Sequence, residues 1–582
     1  MSYHIKPRKA KKLNTKFIFV SGGVISSVGK GVTTAAISQL LESRGFRVAP
    51  VKMDAYLNVD AGTIRPQEHG EVFVTKDGME TDQDVGNYER FMNTNLSASN
   101  YVTNGQLYQS IIQKERNFEY DGEDVEVALH VPEEIIGRLE KAARERKADF
   151  VIAEIGGTVG EYQNILFMEA NRIMKYRDNR DVIHIHVAYL PTPPSIGEMK
   201  SKPAQTSVRL LIGSGIQPDF LIARAEKPID DRRKETLAWT CNVPAQNIIA
   251  APDVDTIYRV PQNFDQQKLT DKILAKFGMR PKKADGRAWR NLLGKISRIN
   301  KQVHPVKSRS AGTASQSFNG VNIAVVGKYY ETGAYKLADV YISVVESIKH
   351  ASWNNGVKAN LHWISSLEVE KHGAKKVLSG YDGIVVPGGF GSRGTEGMIQ
   401  TIQCARENKI PYLGLCYGMQ MATIEFARNV AKLKGANTTE VDDDNPHPVI
   451  HIMPDQEKKL LVRDYGASMR LGGWDCIITR GTKTEAAYLA SGLIKKTGRA
   501  LINERHRHRY EFNNAYRDRL TKAGLVVSGT TPDGKLVEII ELKDHPYFVG
   551  SQFHPEFQSR PLAPHPLFNG FMKAVVRSLI HK

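Results

Sequence analysis

The chain has 582 residues, of which 41 % are hydrophobic and 25 % charged, a composition typical of roughly two to four folded domains. No apolar run approaches the ~20 residues of a membrane span, and the N-terminus lacks the hydrophobic segment of a signal peptide. The four cysteines (Cys241, Cys404, Cys416 and Cys476) are spaced too irregularly for a disulfide framework or a zinc site. We therefore expect a cytoplasmic enzyme that does not act at a membrane.

The positive charge is concentrated in two segments. Lysine and arginine number 80 against 63 acidic residues, a formal net charge of +17, and the excess lies in residues 4–16 and 280–309. Basic tails and linkers usually face solvent or protein partners, and we find no RNA-binding signature and no alternation of aromatic with basic residues. Specific nucleic-acid binding is therefore not expected; a nucleic-acid binder that uses these two segments is the alternative.

A glycine-rich loop near the N-terminus predicts a phosphate site. Residues 17–20 are typical of a buried strand, and a helical pattern runs from about Val32 to Arg44. The free backbone N–H groups of such a loop and the helix dipole bind an anion, and Lys30 adds the positive charge that a triphosphate needs. Five residues separate Gly23 from Gly29 where the usual loop has four, so a tight turn without ligand is the alternative.

Acidic and basic side chains that suit a nucleotide follow in the first half. Asp82 and Asp84 lie two residues apart in a polar, glycine-containing stretch, a spacing that suits Mg²⁺ but also a solvated turn. Glu154 ends the hydrophobic run 149–154, where P-loop enzymes place a second metal-binding acid. Lys200 and Lys202 suit a second phosphate group. These features predict an α/β nucleotide-binding domain.

The second half contains the pattern of a nucleophilic cysteine. A strand leads into Gly414-Leu415-Cys416-Tyr417-Gly418 and then a helix, the turn that raises a nucleophile above a sheet. The helix N-terminus favours the thiolate form of Cys416. Far downstream, His554 is a candidate base and Glu556 the group that orients it. The turn 388–389 and the backbone N–H of Tyr417 are candidates for an oxyanion hole. A buried structural cysteine and an unrelated histidine are the alternative.

The motifs GLCYGMQ, PGGFG and QFHPEF resemble class I glutamine amidotransferase domains, which hydrolyse glutamine and pass ammonia to a partner domain. SGGVISSVGKG, HGEVFVTKDGMETDQDVGNYERF, EIGGTVG, KSKPAQ and GIQPD resemble CTP synthases, as do ANTTE, MRLGG and ERHRHRYEFNN. The resemblance implies two doubly wound α/β domains: a P-loop synthetase domain like dethiobiotin synthetase and a flavodoxin-like glutaminase domain. We predict a basic tail at 1–15, the synthetase at 16–279, a basic linker at 280–317 and the glutaminase at 318–582.

CTP synthases phosphorylate O4 of UTP with ATP and displace that phosphate with ammonia. The resemblance therefore implies a synthetase site for ATP, Mg²⁺ and UTP. The implied catalytic lysines are Lys30 and Lys52, and the implied metal ligands are Asp84 and Glu154. The residues implied for ATP are Ser27, Val28, Gly29, Gly31, Val32, Arg224 and Asp253. Those implied for UTP are Ser26, Lys200, Lys202 and Gln205.

The resemblance implies further sites in the glutaminase half. Cys416, His554 and Glu556 are implied to hydrolyse L-glutamine. The residues implied to bind it are Gly388, Gly389, Tyr417, Gly418, Met419, Gln420, Glu440 and Arg509. Arg393, Gly394, Glu396 and Arg470 lie in segments that the family links to activation by GTP. The family also forms homotetramers and filaments, so a structural or regulatory protein is a further alternative, against which the complete set of catalytic residues argues.

Four positions depart from the family pattern around the acceptor nucleotide. The family's Gln-x-Ile-Pro-His begins here with Glu126, its GGTVG motif continues with Glu161 and Gln163, and Thr236 replaces a lysine. A glutamine amide both donates to and accepts from a uracil edge, whereas an ionised glutamate only accepts. We predict that UTP is still the acceptor; a relative that aminates a different or modified nucleotide is the alternative, and feedback inhibition by CTP is in doubt.

Overall fold

The computed structural model describes residues 14–282, 285–301, 304–305, 317–318, 320–332, 335–337, 339–453, 456, 466 and 468–581. Among these residues, no helix has the length and apolar character needed to cross a membrane. The described residues leave out 1–13 of the predicted basic tail at 1–15, and 283–284, 302–303 and 306–316 of the predicted linker at 280–317.

Strands and helices alternate through the first half. The strands are β1 (Lys16–Gly23), β2 (Val48–Asp54), β3 (Val72–Val74), β4 (Glu80–Asp82), β5 (Tyr101–Thr103), β6 (Phe150–Ile155), β7 (Val182–Tyr189), β8 (Phe220–Ala225) and β9 (Ile248–Pro252). The helices are α1 (Lys30–Ser43), α2 (Pro66–His69), α3 (Gln83–Met92), α4 (Asn104–Arg116), α5 (Val127–Glu145), α6 (Ile165–Arg172), α7 (Lys202–Gly213), α8 (Asp231–Cys241), α9 (Val260–Gln266), α10 (Leu269–Lys276) and α11 (Arg287–Lys301).

The first sheet is parallel throughout, with the strand order β5-β2-β6-β1-β7-β8-β9. Its central strands are buried along their length, as expected for hydrophobic runs covered by helices on both faces. The strand order reverses beside β1, so the loop after β1 opens at the point where doubly wound sheets bind their ligands. The predicted helix after this loop is confirmed, and it begins at Lys30, two residues earlier than its apolar pattern indicated.

The second half contains the remaining elements. The strands are β10 (His304–Pro305), β11 (Ser317–Phe318), β12 (Val321–Gly327), β13 (Glu331–Thr332), β14 (Tyr335–Lys336), β15 (Ala359–Ser365), β16 (Gly383–Val386), β17 (Tyr412–Leu415), β18 (Ala436–Thr438), β19 (His447–Ile452), β20 (Arg470–Ile478), β21 (Leu501–His508), β22 (Tyr510–Phe512), β23 (Leu525–Thr530), β24 (Val537–Leu542) and β25 (Phe548–Ser551). The helices are α12 (Ile342–Asn354), α13 (Ser366–His372), α14 (Ala374–Val377), α15 (Thr395–Glu407), α16 (Tyr417–Asn429), α17 (Lys483–Ser491), α18 (Arg517–Lys522) and α19 (Pro566–His581).

The second sheet has the order β15-β12-β16-β17-β25-β24-β23-β20-β21. The five strands from β15 to β25 are parallel, and the remaining strands extend the sheet in antiparallel fashion. Two clusters of buried side chains, one that includes helices α15 and α16 and one that includes α12 and α19, form its cores. The predicted fold class, two doubly wound α/β domains, is confirmed.

The chain forms two compact units. The first contains residues up to 59, 87–92 and 99–286, and the second contains 60–86, 93–98 and the chain from 287 onwards. The sequence had assigned residues 60–86 to the first domain, but their contacts lie in the second unit: Arg505 donates to the Val74 carbonyl at 2.9 Å, and Arg507 donates to Glu80 at 2.7 Å. The other predicted domain boundaries stay predictions.

Candidate active sites

The loop after β1 has the geometry of a phosphate cradle. Gly29 caps α1 in the left-handed conformation (φ 100°), and Ser27 also has a positive φ of 56°. The first N–H groups of α1 therefore point out of the helix end without intrahelical acceptors. Lys30 is 8 % exposed and its Nζ donates to the Gly157 carbonyl at 2.7 Å. This arrangement places an ammonium group at a helix N-terminus, which suits a polyphosphate.

Arg224 borders the same loop. A Cβ built on Gly29 would lie 3.9 Å from its Nε, so the guanidinium passes over the cradle. Its Nη1 donates to the carbonyls of Ala225 and Ala251 at 3.1 Å and forms an ion pair with Asp253. The structure thus brings together the loop, Lys30, Arg224 and Asp253, four features that the sequence assigned to ATP.

Lys52 and Glu154 face each other on neighbouring strands. They are partners in the register of β2 and β6, and the Lys52 Nζ lies 3.2 Å from Glu154 Oε1 and 3.7 Å from Asp54 Oδ1. Glu154 is fully buried and Asp54 is 3 % exposed. Two buried carboxylates beside one ammonium group leave excess negative charge, which fits a cation such as Mg²⁺. Sequence analysis gave Asp54 no role, although an acid at the carboxyl end of a parallel strand is a usable signal.

The other predicted metal ligand, Asp84, lies in the first turn of α3, where its backbone N–H donates to Asp82 Oδ1 at 2.8 Å. Asp84 belongs to the second unit and Glu154 to the first. A shared metal site of Asp84 and Glu154 stays a prediction.

Helix α7 carries the residues predicted for UTP. Lys202 is the first residue of the helix, and the Gln205 amide, 2 % exposed, donates to Ser201 Oγ at 3.0 Å. Lys200 pairs with Glu198 at 2.6 Å on the surface. Ser26 is exposed in the loop after β1. A helix N-terminus with two lysines beside it suits a second phosphate group.

In the second unit, Cys416 has a strained backbone. Its φ of 49° and ψ of −98° separate β17 from α16. A Cβ on Gly414 would lie 2.5 Å from the Tyr412 hydroxyl, and one on Gly418 would lie 2.1 Å from the Val386 carbonyl oxygen. Both flanking positions therefore require glycine, and the strain holds the 3 % exposed thiol at the sheet edge.

His554 is held by Glu556 beside this cysteine. Its Nδ1 lies 2.7 Å from Glu556 Oε1, and its ring stacks on Phe557 at a centroid distance of 4.9 Å. Burial lowers the pKa of His554, but the charges of Glu556 and Cys416 outweigh burial and raise the pKa to about 10. A Cβ on Gly388 would lie 2.9 Å from His554 Cε1, so the turn at 388–389 has to be free of side chains here. The geometry is that of a cysteine–histidine pair with an orienting acid.

The catalytic side chains open into a cavity of about 760 Å³ within the second unit. Cys416 and His554 form one wall, and residues 62–67, together with Glu71 and Val72, form another. Arg507 lies between them: its Nη2 donates to the Gly62 carbonyl at 3.2 Å, and its guanidinium lies 5.3 Å from the Phe390 ring centre. Sequence analysis did not place Arg507 or residues 62–72 beside Cys416, because no local pattern links segments more than 400 residues apart.

Two of the residues predicted for glutamine, Tyr417 and Glu440, form a polar cluster with Gly391 next to Cys416. Glu440 accepts from the Gly391 N–H at 2.6 Å, and burial raises its pKa. The Tyr417 hydroxyl donates to the Gly391 carbonyl at 2.8 Å, and Lys328 Nζ lies 4.1 Å above the Tyr417 ring centre. Burial lowers the pKa of Lys328 to about 8, although Glu440 opposes the shift. Sequence analysis missed Lys328, the residue that follows β12.

The remaining predicted glutamine residues are held by hydrogen bonds. Gln420 donates to the Tyr510 carbonyl at 3.0 Å, and Arg509 donates to Ser468 Oγ at 2.9 Å. The backbones of Gly418 and Met419 lie in the first turn of α16, and Gly389 contacts Lys328, whose Cδ lies 3.1 Å from a Cβ built there. Helix N–H groups and a buried guanidinium suit the carboxylate of an amino acid.

Two family models match most of the chain. The model described as CTP synthase N-terminus matches residues 16–279, and the class I glutamine amidotransferase model matches residues 336–574. A CTP synthase of Caldanaerobacter subterraneus subsp. tengcongensis is 47 % identical over 97 % of this chain and 99 % of its own length. The chain belongs to the CTP synthase family. A second relative, a CTP synthase of Picosynechococcus sp., is 46 % identical over 96 % of this chain and 95 % of its own length.

Among solved structures, the chain is similar to the Trypanosoma brucei CTPS glutaminase domain with bound acivicin. The sequences are 38 % identical, the match covers 44 % of this chain and 94 % of that one, and the TM-score is 0.39.

The four positions that depart from the CTP synthase pattern make local contacts. Glu161 Oε1 accepts from the N–H and hydroxyl of Thr158 at 2.8 and 2.6 Å. The Gln163 carbonyl accepts from Asn104 at 2.9 Å, and the Thr236 hydroxyl donates to the Arg232 carbonyl at 2.8 Å on exposed α8. Glu126 precedes α5 and borders a cleft of about 310 Å³ between α4 and the start of α5. Their roles toward the acceptor stay predictions.

The residues linked to GTP in CTP synthases occupy two places. Arg393 is exposed, Gly394 caps α15, and Glu396 pairs with Arg428 at 2.9 Å. Arg470 is 5 % exposed and pairs with Glu511 at 3.0 Å and Glu538 at 2.7 Å. Because Arg470 is buried between two carboxylates at the start of β20, its geometry suits a residue that stabilises this strand. A role in GTP activation stays a prediction for all four residues.

Proposed function

We propose that this chain is an ATP-dependent, glutamine-hydrolysing ligase that aminates UTP to CTP. The proposal rests on one observation: a phosphate cradle with Lys30 and a Cys416–His554–Glu556 set occur in a single chain of the CTP synthase family. Relatives named CTP synthase match over nearly their full length, which supports UTP as the acceptor.

The synthetase half activates the acceptor. The O4 oxygen of uracil is a poor leaving group, and its phosphorylation by ATP converts it into one that ammonia displaces as phosphate at C4. Lys30 and Lys52 stabilise the negative charge on the transferring phosphoryl group. Glu154, with Asp84, would hold Mg²⁺, which would neutralise phosphate charge. Lys200, Lys202 and Gln205 orient the UTP triphosphate.

The glutaminase half supplies ammonia. The Cys416 thiolate attacks the side-chain amide carbon of glutamine, and the backbone N–H groups near Gly389 and Tyr417 stabilise the oxyanion. His554 donates its proton to the departing ammonia, which leaves a thioester on Cys416. His554 then takes a proton from the water that hydrolyses this thioester to glutamate and regenerates the thiolate.

We further propose that GTP activates glutamine hydrolysis and that the chain assembles as a homotetramer. Membership of the CTP synthase family supports both proposals. Light scattering with and without ATP and UTP tests the assembly: a mass of four chains of 65.0 kDa is expected, and a nucleotide-saturated monomer would contradict it.

The proposed reaction is tested by incubating the full chain with ATP, Mg²⁺, GTP and glutamine, with UTP as the sole acceptor. Mass analysis should show CTP, ADP, phosphate and glutamate in equal amounts. Ammonium chloride should replace glutamine. Glutamine hydrolysis without CTP from either nitrogen source would disprove UTP as the acceptor.

The pH profile of glutamine hydrolysis should depend on Glu556. Burial lowers the pKa of His554, but Glu556 and Cys416 together raise it to about 10, so the imidazolium persists until the pH passes through that value. In Glu556→Gln, only Cys416 still opposes the lowering of the His554 pKa by burial. The alkaline limb of kcat/KM should therefore move to lower pH by about 1–3 units. Ammonia release between pH 6 and 10.5 measures the shift.

The matched control is Glu407→Gln, since the Glu407 side chain is 52 % exposed on the same unit. Its profile should equal that of the wild type. An unchanged alkaline limb in Glu556→Gln would mean that Glu556 does not set the proton affinity of His554.

A further inference from the structure

Four hydrogen bonds join five buried side chains in the first unit. Asn171 Nδ2 lies 2.5 Å from His184 Nδ1, and His184 Nε2 lies 2.7 Å from Ser21 Oγ. Ser21 Oγ lies 2.8 Å from His186 Nδ1, and His186 Nε2 lies 2.7 Å from Ser207 Oγ. Four of these residues are fully buried, and Ser207 is 4 % exposed. We name this series the histidine relay.

The histidine relay joins the two nucleotide-binding elements of this unit. Ser21 lies on β1, two residues before Gly23, where the phosphate loop begins. Ser207 lies on α7, two residues after Gln205 and five after Lys202. The two histidines occupy alternate positions of β7, between these elements, so their side chains point to the same face. Side chains thus extend the backbone pairing of β1 and β7 to helix α7.

Both histidines of the relay are neutral. Burial lowers the pKa of His184 well below its usual value, and burial together with Lys30 lowers the pKa of His186 to about 3. A neutral imidazole donates one hydrogen bond and accepts one, and so does each hydroxyl in the series. With the Asn171 amide donating, His184 donates to Ser21, Ser21 to His186, and His186 to Ser207. Reversal of one link would require reversal of all, so the relay acts as a unit.

The phosphate loop and α7 are packed in direct contact. A Cβ built on Gly23 would lie 1.4 Å from Ser207 Oγ and 3.0 Å from His186 Nε2. The backbone at the start of the phosphate loop therefore touches the end of the relay directly. A shift of the loop toward α7 would therefore meet Ser207, which lies on the helix that carries Lys202 and Gln205.

We propose that the histidine relay is a positioning device that couples the two nucleotide sites, so that ordering of the phosphate loop around ATP also orders α7 for the triphosphate of the acceptor. His184, His186 and Ser207 act through the loop and α7 and need not touch either nucleotide. The proposal rests on the proposed function, since it takes ATP and UTP as the two ligands.

The test replaces Ser207 with alanine in the full chain and supplies ammonium chloride, so that glutamine hydrolysis plays no part. The loss of the hydroxyl leaves the buried His186 N–H without its acceptor. ATP binding then has to order the phosphate loop and UTP binding has to order α7, each without help from the other, which weakens both. We expect the KM values for ATP and UTP to rise together, each about tenfold. A merely structural defect would lower the folded fraction, and hence kcat, with both KM values unchanged.

Two further variants serve as comparisons. Ser207→Cys retains a side chain of similar shape with a weak donor and acceptor. Its KM values for ATP and UTP should therefore lie between those of Ser207→Ala and those of the wild type. Ser214→Ala removes an exposed hydroxyl that donates to the Leu210 carbonyl at 3.3 Å at the end of the same helix, and should match the wild type. Unchanged KM values in Ser207→Ala would overturn the proposal, and so would a rise for one nucleotide only, which indicates a local contact.

Calorimetric titration with a non-hydrolysable ATP analogue separates this proposal from the proposed function. A wild-type chain that makes no CTP would overturn the proposed function. In that case the affinity for the analogue still tests the histidine relay. Ser207→Ala should weaken binding of the analogue about tenfold, and Ser214→Ala should leave it unchanged. Equal binding to both variants would overturn the relay.

Discussion

Replacement of Cys416 by alanine is expected to abolish ammonia release from glutamine while CTP synthesis from ammonium chloride continues. Cys416 is 3 % exposed and lies in a strained turn at the start of α16. It also contributes to the raised pKa of His554. Loss of a nucleophile in such a set typically lowers the rate by about 10⁴-fold or more. Glutamate and CTP, measured in the same samples with each nitrogen source, check the prediction.

The matched control is Cys404→Ala. Cys404 is a half-buried cysteine on α15 of the same unit, and its Sγ accepts a hydrogen bond from Asn408 Nδ2 at 3.6 Å. It has no role in the proposed reaction. Its variant should hydrolyse glutamine normally. Residual ammonia release by Cys416→Ala within tenfold of the wild type would exclude Cys416 as the nucleophile.

Replacement of Lys30 by alanine should have the opposite pattern. Lys30 is the one ammonium group at the start of α1 among the described residues of the phosphate loop, and its Nζ donates to the Gly157 carbonyl at 2.7 Å. Loss of a charge aimed at a developing transition-state charge typically lowers the rate by about 10²–10³-fold. CTP should therefore fall with glutamine and with ammonium chloride alike, while glutamine hydrolysis persists.

Lys141→Ala is the control for this variant, since the Lys141 side chain is 59 % exposed on α5 of the same unit. Thermal unfolding of both variants should match the wild type. A Lys30→Ala chain that makes CTP at the wild-type rate would show that the phosphate loop does not bind the transferred group.

The fold class was predictable because its signals are local. The hydrophobic run before the phosphate loop and the glycines around Cys416 each fix one strand and one helix, and sequence spacing is enough to recognise them. Positions 414 and 418 require glycine for a steric reason, since a Cβ there would collide with backbone or hydroxyl atoms. Candidate site residues inside such motifs could be proposed from the sequence for the same reason.

Residues that act through distant contacts could not be predicted. Arg507 meets Glu80 and Gly62 across more than 400 residues, and no spacing in the sequence indicates that pairing. A role for Asp54 can be inferred only once β2 and β6 are known to be neighbours, since Lys52 then lies near both Asp54 and Glu154. His184 likewise reads as one more residue of a hydrophobic strand until its partners on α6 and β1 are known.

The position of residues 60–86 has a consequence for dividing this protein into fragments. Phe73 is fully buried against Phe557 at a ring-centre distance of 5.1 Å, and Glu71 accepts from the Ser343 N–H at 3.1 Å. A glutaminase fragment cut at residue 318 would leave these partners behind and expose an apolar patch. It would also lack one wall of the cavity beside Cys416, so that cavity would be open to bulk water. A cut between the two predicted domains would then alter the surroundings of Cys416 without any change to a catalytic residue.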